Sequence, residues 1–198
     1  MARNPSRAVL RAATADCHRR VDAIYSAAVL GDRGSYGDFL RAQAAAHLPA
    51  ERALDRAGIA TLLDDWPARM RGSLLVRDLS DLGLPVPAPI GGLDIATRAE
   101  MLGALYVLEG SRLGGAMLKR AVPPHFPARF LGGGGAGSWQ SLLALLDRAL
   151  DTAARQGEAI DAARRAFALF EDGGRRFLNL ASDRRARVAH MTDAPPVI

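Results

Sequence analysis

Apolar residues recur at steps of three and four along almost the whole chain, and the alternating apolar and polar runs of β-strands are nearly absent. This periodicity predicts six longer helices. The first covers about 6–28, where Leu10, Ala13, Cys17, Val21, Ile24 and Ala28 form one apolar stripe that stops before Gly31 and Gly34. The second runs over about 35–57, with Pro49 expected to kink or split it and Gly58 as its stop. The third starts at Pro67, a favourable first helical position, and ends at Gly83. The run Leu84-Pro85-Val86-Pro87-Ala88-Pro89 is extended, because each residue before a proline is pushed out of the helical region. A fourth helix begins near Thr97, which stands at capping-box spacing from Glu100, and runs to about 121, where Pro123 and Pro124 stop it. After a glycine run at 132–135, a fifth helix starts at Ser138 and reaches about 156. A sixth covers about 158–180, with Gly173 and Gly174 as a bending point. No repeat or low-complexity segment divides the chain, so a compact helical bundle is the economical fold.

Composition narrows the class. Of 198 residues, 49% are hydrophobic and 24% charged, enough apolar material for a core and an ordinary surface. No apolar run approaches the ~20 residues of a membrane span, and the N-terminal stretch lacks a signal-peptide core, so a cytoplasmic location without membrane attachment is expected. The lone Cys17 excludes an internal disulfide and reads as a small core residue. The net charge of +5 comes mostly from arginine, scattered along the chain apart from short clusters such as Arg184, Arg185 and Arg187. Aromatic residues are not interleaved with these arginines and no nucleic-acid module is present, so nucleic acid is not the expected partner. A small anionic ligand or an acidic partner protein fits the charge better.

Two segments stand out chemically. In the fourth helix, Gly110, Gly114 and Gly115 interrupt a strong helical pattern, at about 1 kcal/mol each relative to alanine. Gly110 and Gly114 share a face, which serves either tight helix packing or the close approach of a flat ligand. In the first helix, Arg11, Thr14, His18 and Asp22 form a second stripe on the flank of the core. His18 reads either as a hydrogen-bonded edge histidine or as a metal ligand, and Arg11, two turns earlier and ~10 Å along the axis, could meet an anionic rim of the same ligand. His47, His125 and His190 offer less. HExxH, paired ExxH, GxSxG and phosphate-loop patterns are absent, which argues against zinc hydrolase, di-iron and serine-nucleophile chemistry.

A basic residue seven before a histidine, Arg11 and His18 in LRAATADCHRRVD, combined with YVLEGSRLGG at 106–115 and the Ala166-Phe167 to Phe170 stretch, resembles the haem oxygenase family, particularly its bacterial branch. The resemblance covers about 8–180. It implies an all-α, single-domain haem oxygenase-like helical bundle over 1–198, with 190–198 as a loose tail. His18 is then the proximal ligand of the haem iron and Arg11 a partner of a propionate. Gly110, Ser111, Gly114 and Gly115 line the distal face, where Gly110, Ser111 and Gly114 act in catalysis by leaving little room above the iron and steering oxygen toward one meso carbon. Haem is both substrate and cofactor. Oxygen and electrons from an external donor, a ferredoxin- or flavin-type reductase, complete the reaction, which yields biliverdin, iron and carbon monoxide. Iron acquisition and supply of a bilin-binding photoreceptor are both uses of the product consistent with this reading.

Asp22, one turn after His18, is expected to orient the imidazole if it reaches the ring. The chain departs from the mammalian branch in carrying Ser111 where that branch has a water-organising aspartate, and in lacking a basic pair in the helix that contains Trp139. Arg112 either faces solvent or reaches toward the haem edge. A haem carrier or sensor, and a helical protein with a different ligand, stay open as alternatives at this level.

Overall fold

Identifiable side chains, some local and some distant in sequence, set several of the helix boundaries in the protein. A computed structural model describes residues 5–132 and 137–179, so the expected tail, His190 and the 184–187 arginine cluster lie outside the described residues, as does most of the glycine run at 132–135. Among the described residues the architecture is all-α: α1 (Pro5–Ala13), α2 (Ala15–Tyr25), α3 (Arg33–Arg56), α4 (Trp66–Arg69), α5 (Gly72–Asp81), α6 (Arg98–Leu118), α7 (Arg129–Gly132), α8 (Gly137–Ala149) and α9 (Ala153–Gly174), with a π-helical turn at Arg175–Asn179. No described helix is long and apolar enough to cross a membrane.

The expected first helix is two. Thr14 breaks it: its hydroxyl donates to the Leu10 carbonyl at 2.8 Å, alongside its own amide at 3.0 Å, and such back-bonding bends a helix. Arg11 therefore lies in the last turn of α1, while His18 sits on α2. The expected third helix is also two, because the buried Glu51 carboxylate takes the amides of Arg71 at 2.6 Å and Gly72 at 2.9 Å and so starts α5 afresh. The predicted capping box is present: Thr97 accepts from the Glu100 amide and Glu100 accepts from the Thr97 amide. The helix expected at 138–156 ends sooner, at Ala149, and Thr152 caps α9 by accepting from the Arg155 amide.

Pro49 lies inside α3 without splitting it. Its missing N–H would leave the Ala45 carbonyl without its helical donor, and the Ile90 amide fills the vacancy at 3.1 Å. The proline in the helix and the extended 84–92 connection are thus fitted to each other.

The long helices α3, α6 and α9 form the centre, and α6 with α9 make the most extensive pair. Their crossings depend on glycine. A Cβ at Gly103 would overlap the Ala159 carbonyl of α9, and one at Gly173 would lie 2.7 Å from the Ala42 carbonyl of α3. One apolar cluster joins α6, α8 and α9 through Leu102, Leu105, Leu142, Leu146 and Phe170. A second joins α3, α5 and α7 through Tyr36, Phe39, Leu75, Leu79 and Phe130. By contrast α2 has no fully buried residue: Cys17, Val21 and Ile24 of its predicted apolar stripe pack, partly buried, against the two clusters, while His18 and Asp22 of the flanking stripe border a cavity.

Candidate active site

The cavity has a volume of about 590 Å³, within the range of small-molecule and cofactor sites. α1 and α2 form one wall and the C-terminal half of α6 another; Phe39 of α3, Phe130 of α7, Trp139 of α8 and Phe167 of α9 close it inside. Arg11, His18, Gly110, Ser111, Gly114 and Gly115 all border it. The structure therefore gathers around one cavity residues that the sequence separates by about a hundred positions.

Within α2, His18 Nδ1 lies 2.8 Å from Asp22 Oδ2, one turn on. With the ring proton on Nδ1 donated to the carboxylate, Nε2 keeps its lone pair free to ligate. The imidazole edge also packs against Phe167, with ring centroids 5.9 Å apart. A hydrogen bond and an aromatic contact together fix the ring's direction.

On α6, a Cβ built at Gly110 or Gly114 meets nothing within 4 Å. The two glycines that suggested tight helix packing instead open onto the cavity, and packing of that kind is done by Gly103. Gly115 borders the cavity edge but faces α7, where its Cβ would contact the Leu131 carbonyl at 3.5 Å. Leu113, Met117 and Leu118, three of the most exposed large apolar side chains, flank the same wall; Met117 is 72% exposed. Exposed apolar surface concentrated beside a cavity marks a ligand face rather than an ordinary surface.

Ser111 is tied down from behind. Its hydroxyl donates to the Leu108 carbonyl at 2.7 Å and accepts from Arg71 Nη2 at 2.8 Å. Arg71 also donates to the Leu108 carbonyl and stacks over Phe130. Burial, with Arg112 nearby, pushes its guanidinium down to about 10, so it is still a cation at neutral pH. Beyond it, His47 Nε2 lies 2.9 Å from Glu51 Oε1, and both side chains are buried. Burial holds His47 below its usual range. Burial alone would raise the Glu51 carboxyl, but His47 and the amides of Arg71 and Gly72 hold it low. Arg112 turns away from the cavity: Nη2 donates to the Arg69 carbonyl and pairs with Glu109 at 3.3 Å, and Glu109 also faces Arg69 at 3.5 Å. Neither position envisaged for Arg112, solvent or haem edge, is the one it occupies. This buried charge network was not legible in the sequence. The one signal was the His47/Glu51 spacing of four on a helix, beside charged residues inside otherwise apolar stretches.

At the mouth of the cavity stand Arg7, Arg11 and Arg19. Arg19 is engaged by Asp16. Arg7 lies over the Trp139 ring, 5.8 Å from its centroid, and Trp139 in turn meets Tyr106 at 5.9 Å. Burial raises the Tyr106 hydroxyl, opposed by the positive charges of Arg7 and Arg11.

Over 145 residues the chain is 34% identical to haem oxygenase PigA of Pseudomonas aeruginosa, a match spanning 68% of this chain and 73% of that protein. The chain belongs to the haem oxygenase family. A haem oxygenase of Xanthomonas campestris is 33% identical over 112 residues, 53% of this chain and 67% of the relative. The structure of the NO- and CO-bound haem oxygenase from Neisseria meningitidis superposes with a TM-score of 0.75 at 25% identity, covering 86% of this chain and 90% of that one. No protein-family model matches the chain. The all-α haem oxygenase fold expected from the sequence is thus the one observed, and the protein is an enzyme of this family.

The residues of the cavity fit haem. A planar ligand needs a flat approach on one side and a donor on the other; Gly110 and Gly114 would offer the first and Nε2 of His18 the second. Phe39, Val107 and Phe167 supply apolar walls, and the arginines sit only at the mouth, where a carboxylate edge would emerge.

Proposed function

We propose that the protein binds haem between α2 and α6 and opens it oxidatively to biliverdin, with release of iron and carbon monoxide. The observation that carries this reading is the pairing, around one cavity, of a histidine whose Nδ1 is engaged by Asp22 with a helix face that offers two side-chain-free positions. Bound haem supplies an iron centre that binds and activates oxygen, and its own macrocycle is the substrate.

The chain's residues then have distinct tasks. His18 ligates through Nε2, and Asp22 fixes the tautomer and the direction of the ring. A neutral imidazole donates less electron density than a thiolate and so does not favour O–O cleavage. Gly110 and Gly114 let the α6 backbone approach the ligand plane and restrict the space above it, which directs attack to one edge of the ring. Ser111 has its hydroxyl proton committed to Leu108 and one lone pair to Arg71. It therefore presents a remaining lone pair to the cavity, suited to accepting a hydrogen bond from an ordered water. Arg71 is the positioning residue that sets this orientation. Arg11 pairs with a propionate by a charge-assisted hydrogen bond.

Electrons come from an external donor of the ferredoxin or flavin-reductase type, for which the cationic cavity mouth is a complementary docking surface. The protein works in the cytoplasm, and its product is available to a bilin-binding acceptor.

The test is a spectral time course. One equivalent of haemin is added to the purified protein, followed by ascorbate in air with catalase present. Decay of the Soret band with growth of a biliverdin-like red absorbance is expected. A Soret complex that persists with both ascorbate and a ferredoxin-type donor would overturn the catalytic reading and leave haem carriage.

A further inference from the structure

Two cations stand on one face of α1 without an acid to balance them among the described residues. α1 contains Arg7 and Arg11, four residues apart, and no acidic residue. Among the described residues neither guanidinium has a carboxylate partner, whereas Arg19 at the same cavity mouth is engaged by Asp16. Like charges at this spacing on a helix repel one another, so the arrangement is one that a two-fold anion would relieve.

Arg7 differs from an ordinary surface arginine in three ways. It borders the cavity. Its guanidinium rests over Trp139, itself part of the cavity wall. Its backbone is held in place, because the amide of the preceding Ser6 donates to Asp147 Oδ1 of α8 at 3.0 Å, anchoring the start of α1 against α8. The Trp139 ring braces the guanidinium of Arg7, and the charges of both Arg7 and Arg11 act on Tyr106. Haem carries two carboxylates on one edge, and Arg11 accounts for one of them.

We propose that Arg7, braced by Trp139, is a second carboxylate-binding residue, and that Arg7 and Arg11 together fix the rotation of the bound macrocycle by holding its carboxylate edge at the α1–α8 end of the cavity. This inference rests on the haem reading of the cavity. It goes beyond that reading in assigning the carboxylate-bearing edge, and hence the meso carbon presented to α6, to a pair of residues on one helix.

The experiment compares Arg7→Ala, Arg7→Lys and wild type, with Arg98→Ala as a control that removes the same charge from a surface site away from this cavity. Each protein is titrated by its Soret band with ferric haem and with the haem dimethyl ester, which keeps the ring and iron but lacks both carboxylates. Arg7→Ala is expected to weaken haem binding by about threefold to tenfold at low salt, an effect that shrinks as salt screens the pair. Its affinity for the diester should match that of wild type, and its His18-ligated spectrum should be unchanged. Arg7→Lys should recover most of the loss, and Arg98→Ala should behave as wild type. Bound haem in Arg7→Ala should show two rotational orientations by paramagnetic NMR where wild type shows one. Equal haem affinity in Arg7→Ala and wild type, or equal losses for haem and diester, overturns the role of Arg7. Failure of wild type to ligate haem, or a spectrum unaffected by His18→Ala, overturns the underlying haem reading instead, and the two failures are distinct.

Discussion

His18 Nδ1 sits 2.8 Å from Asp22 Oδ2, one helical turn away on the same face of α2. Both side chains are largely exposed, 63% and 66%, so the pair contributes little to folding, and its consequence is chemical. A carboxylate that accepts the Nδ1 proton gives the imidazole partial anionic character. Asp22→Asn keeps an acceptor but removes the charge. Haem should still bind, while the iron–histidine stretching frequency of the ferrous complex falls and the reduction potential rises. An unchanged stretch would show that Asp22 does not act on the ligand. His18→Ala should abolish normal ligation altogether.

The glycines of α6 separate into two classes with opposite predicted behaviour. Gly114 has open space where a Cβ would go, so Gly114→Ala should stabilise the apoprotein by up to about 1 kcal/mol through helix propensity. Gly114→Leu should also fold but should block haem entry or oxygen binding. Gly103 faces the Ala159 carbonyl, and Gly103→Ala should destabilise the fold by about 1–3 kcal/mol or more, since backbone must move. Thermal melts of the apoproteins with haem titrations decide the matter. A Gly114→Leu protein that binds haem and oxygen normally would remove the close-approach argument.

Glu51 is the hinge of the buried network. It accepts from two backbone amides at the start of α5 and lies against His47. Glu51→Gln replaces an acceptor oxygen with an NH2 group that must face one of these donors. A loss of about 2 kcal/mol is expected in chemical denaturation. Because Arg71 follows directly from this cap and holds Ser111, the variant should also alter the ligand-field spectrum of any oxygen or carbon monoxide complex. Ser111→Ala should reproduce the spectral change without most of the stability loss.

Stability should fall on the acid side of neutrality. Burial depresses His47, so the unfolded chain takes up its proton first as pH drops. The contribution is complete above the unfolded value of about 6.5 and is lost progressively below it, down to the folded pKa. Glu51, also depressed, adds a second loss below about 4.5, where its unfolded carboxyl protonates while the folded one does not. The melting temperature of the apoprotein should therefore drop between pH 7 and pH 5.5. His47→Gln keeps a donor toward Glu51 without a titrating ring and should flatten this part of the curve. An equal drop in the variant would assign the effect to another group.

Local rules carried the reading of the chain a long way. Helical periodicity, the Thr97/Glu100 box and the proline-rich 84–92 run located the main helices and the extended connection, because propensity, capping and proline sterics act within a few residues. The His18/Asp22 spacing was legible for the same reason, since the i, i+4 geometry of a helix places the groups together. Two of the misplaced boundaries are set locally, at Thr14 and Thr152, but the others depend on a distant partner. Glu51 splits 67–83 from twenty residues upstream, and Ile90 lets α3 continue past Pro49.

The face each glycine presents was beyond sequence reasoning, because spacing alone does not distinguish a helix pressed against a carbonyl, as at Gly103, from one left open, as at Gly110 and Gly114. The buried partnership of Arg71 with Ser111, and of Arg112 with Glu109, was hidden likewise. By itself, then, the sequence determined the helical class, the motif residues and the family they resemble. Only the tertiary structure decided which of those residues share a cavity and which charges are buried behind it, since both depend on how α2, α3, α6 and α9 cross, and those crossings are made by side chains far apart in the chain.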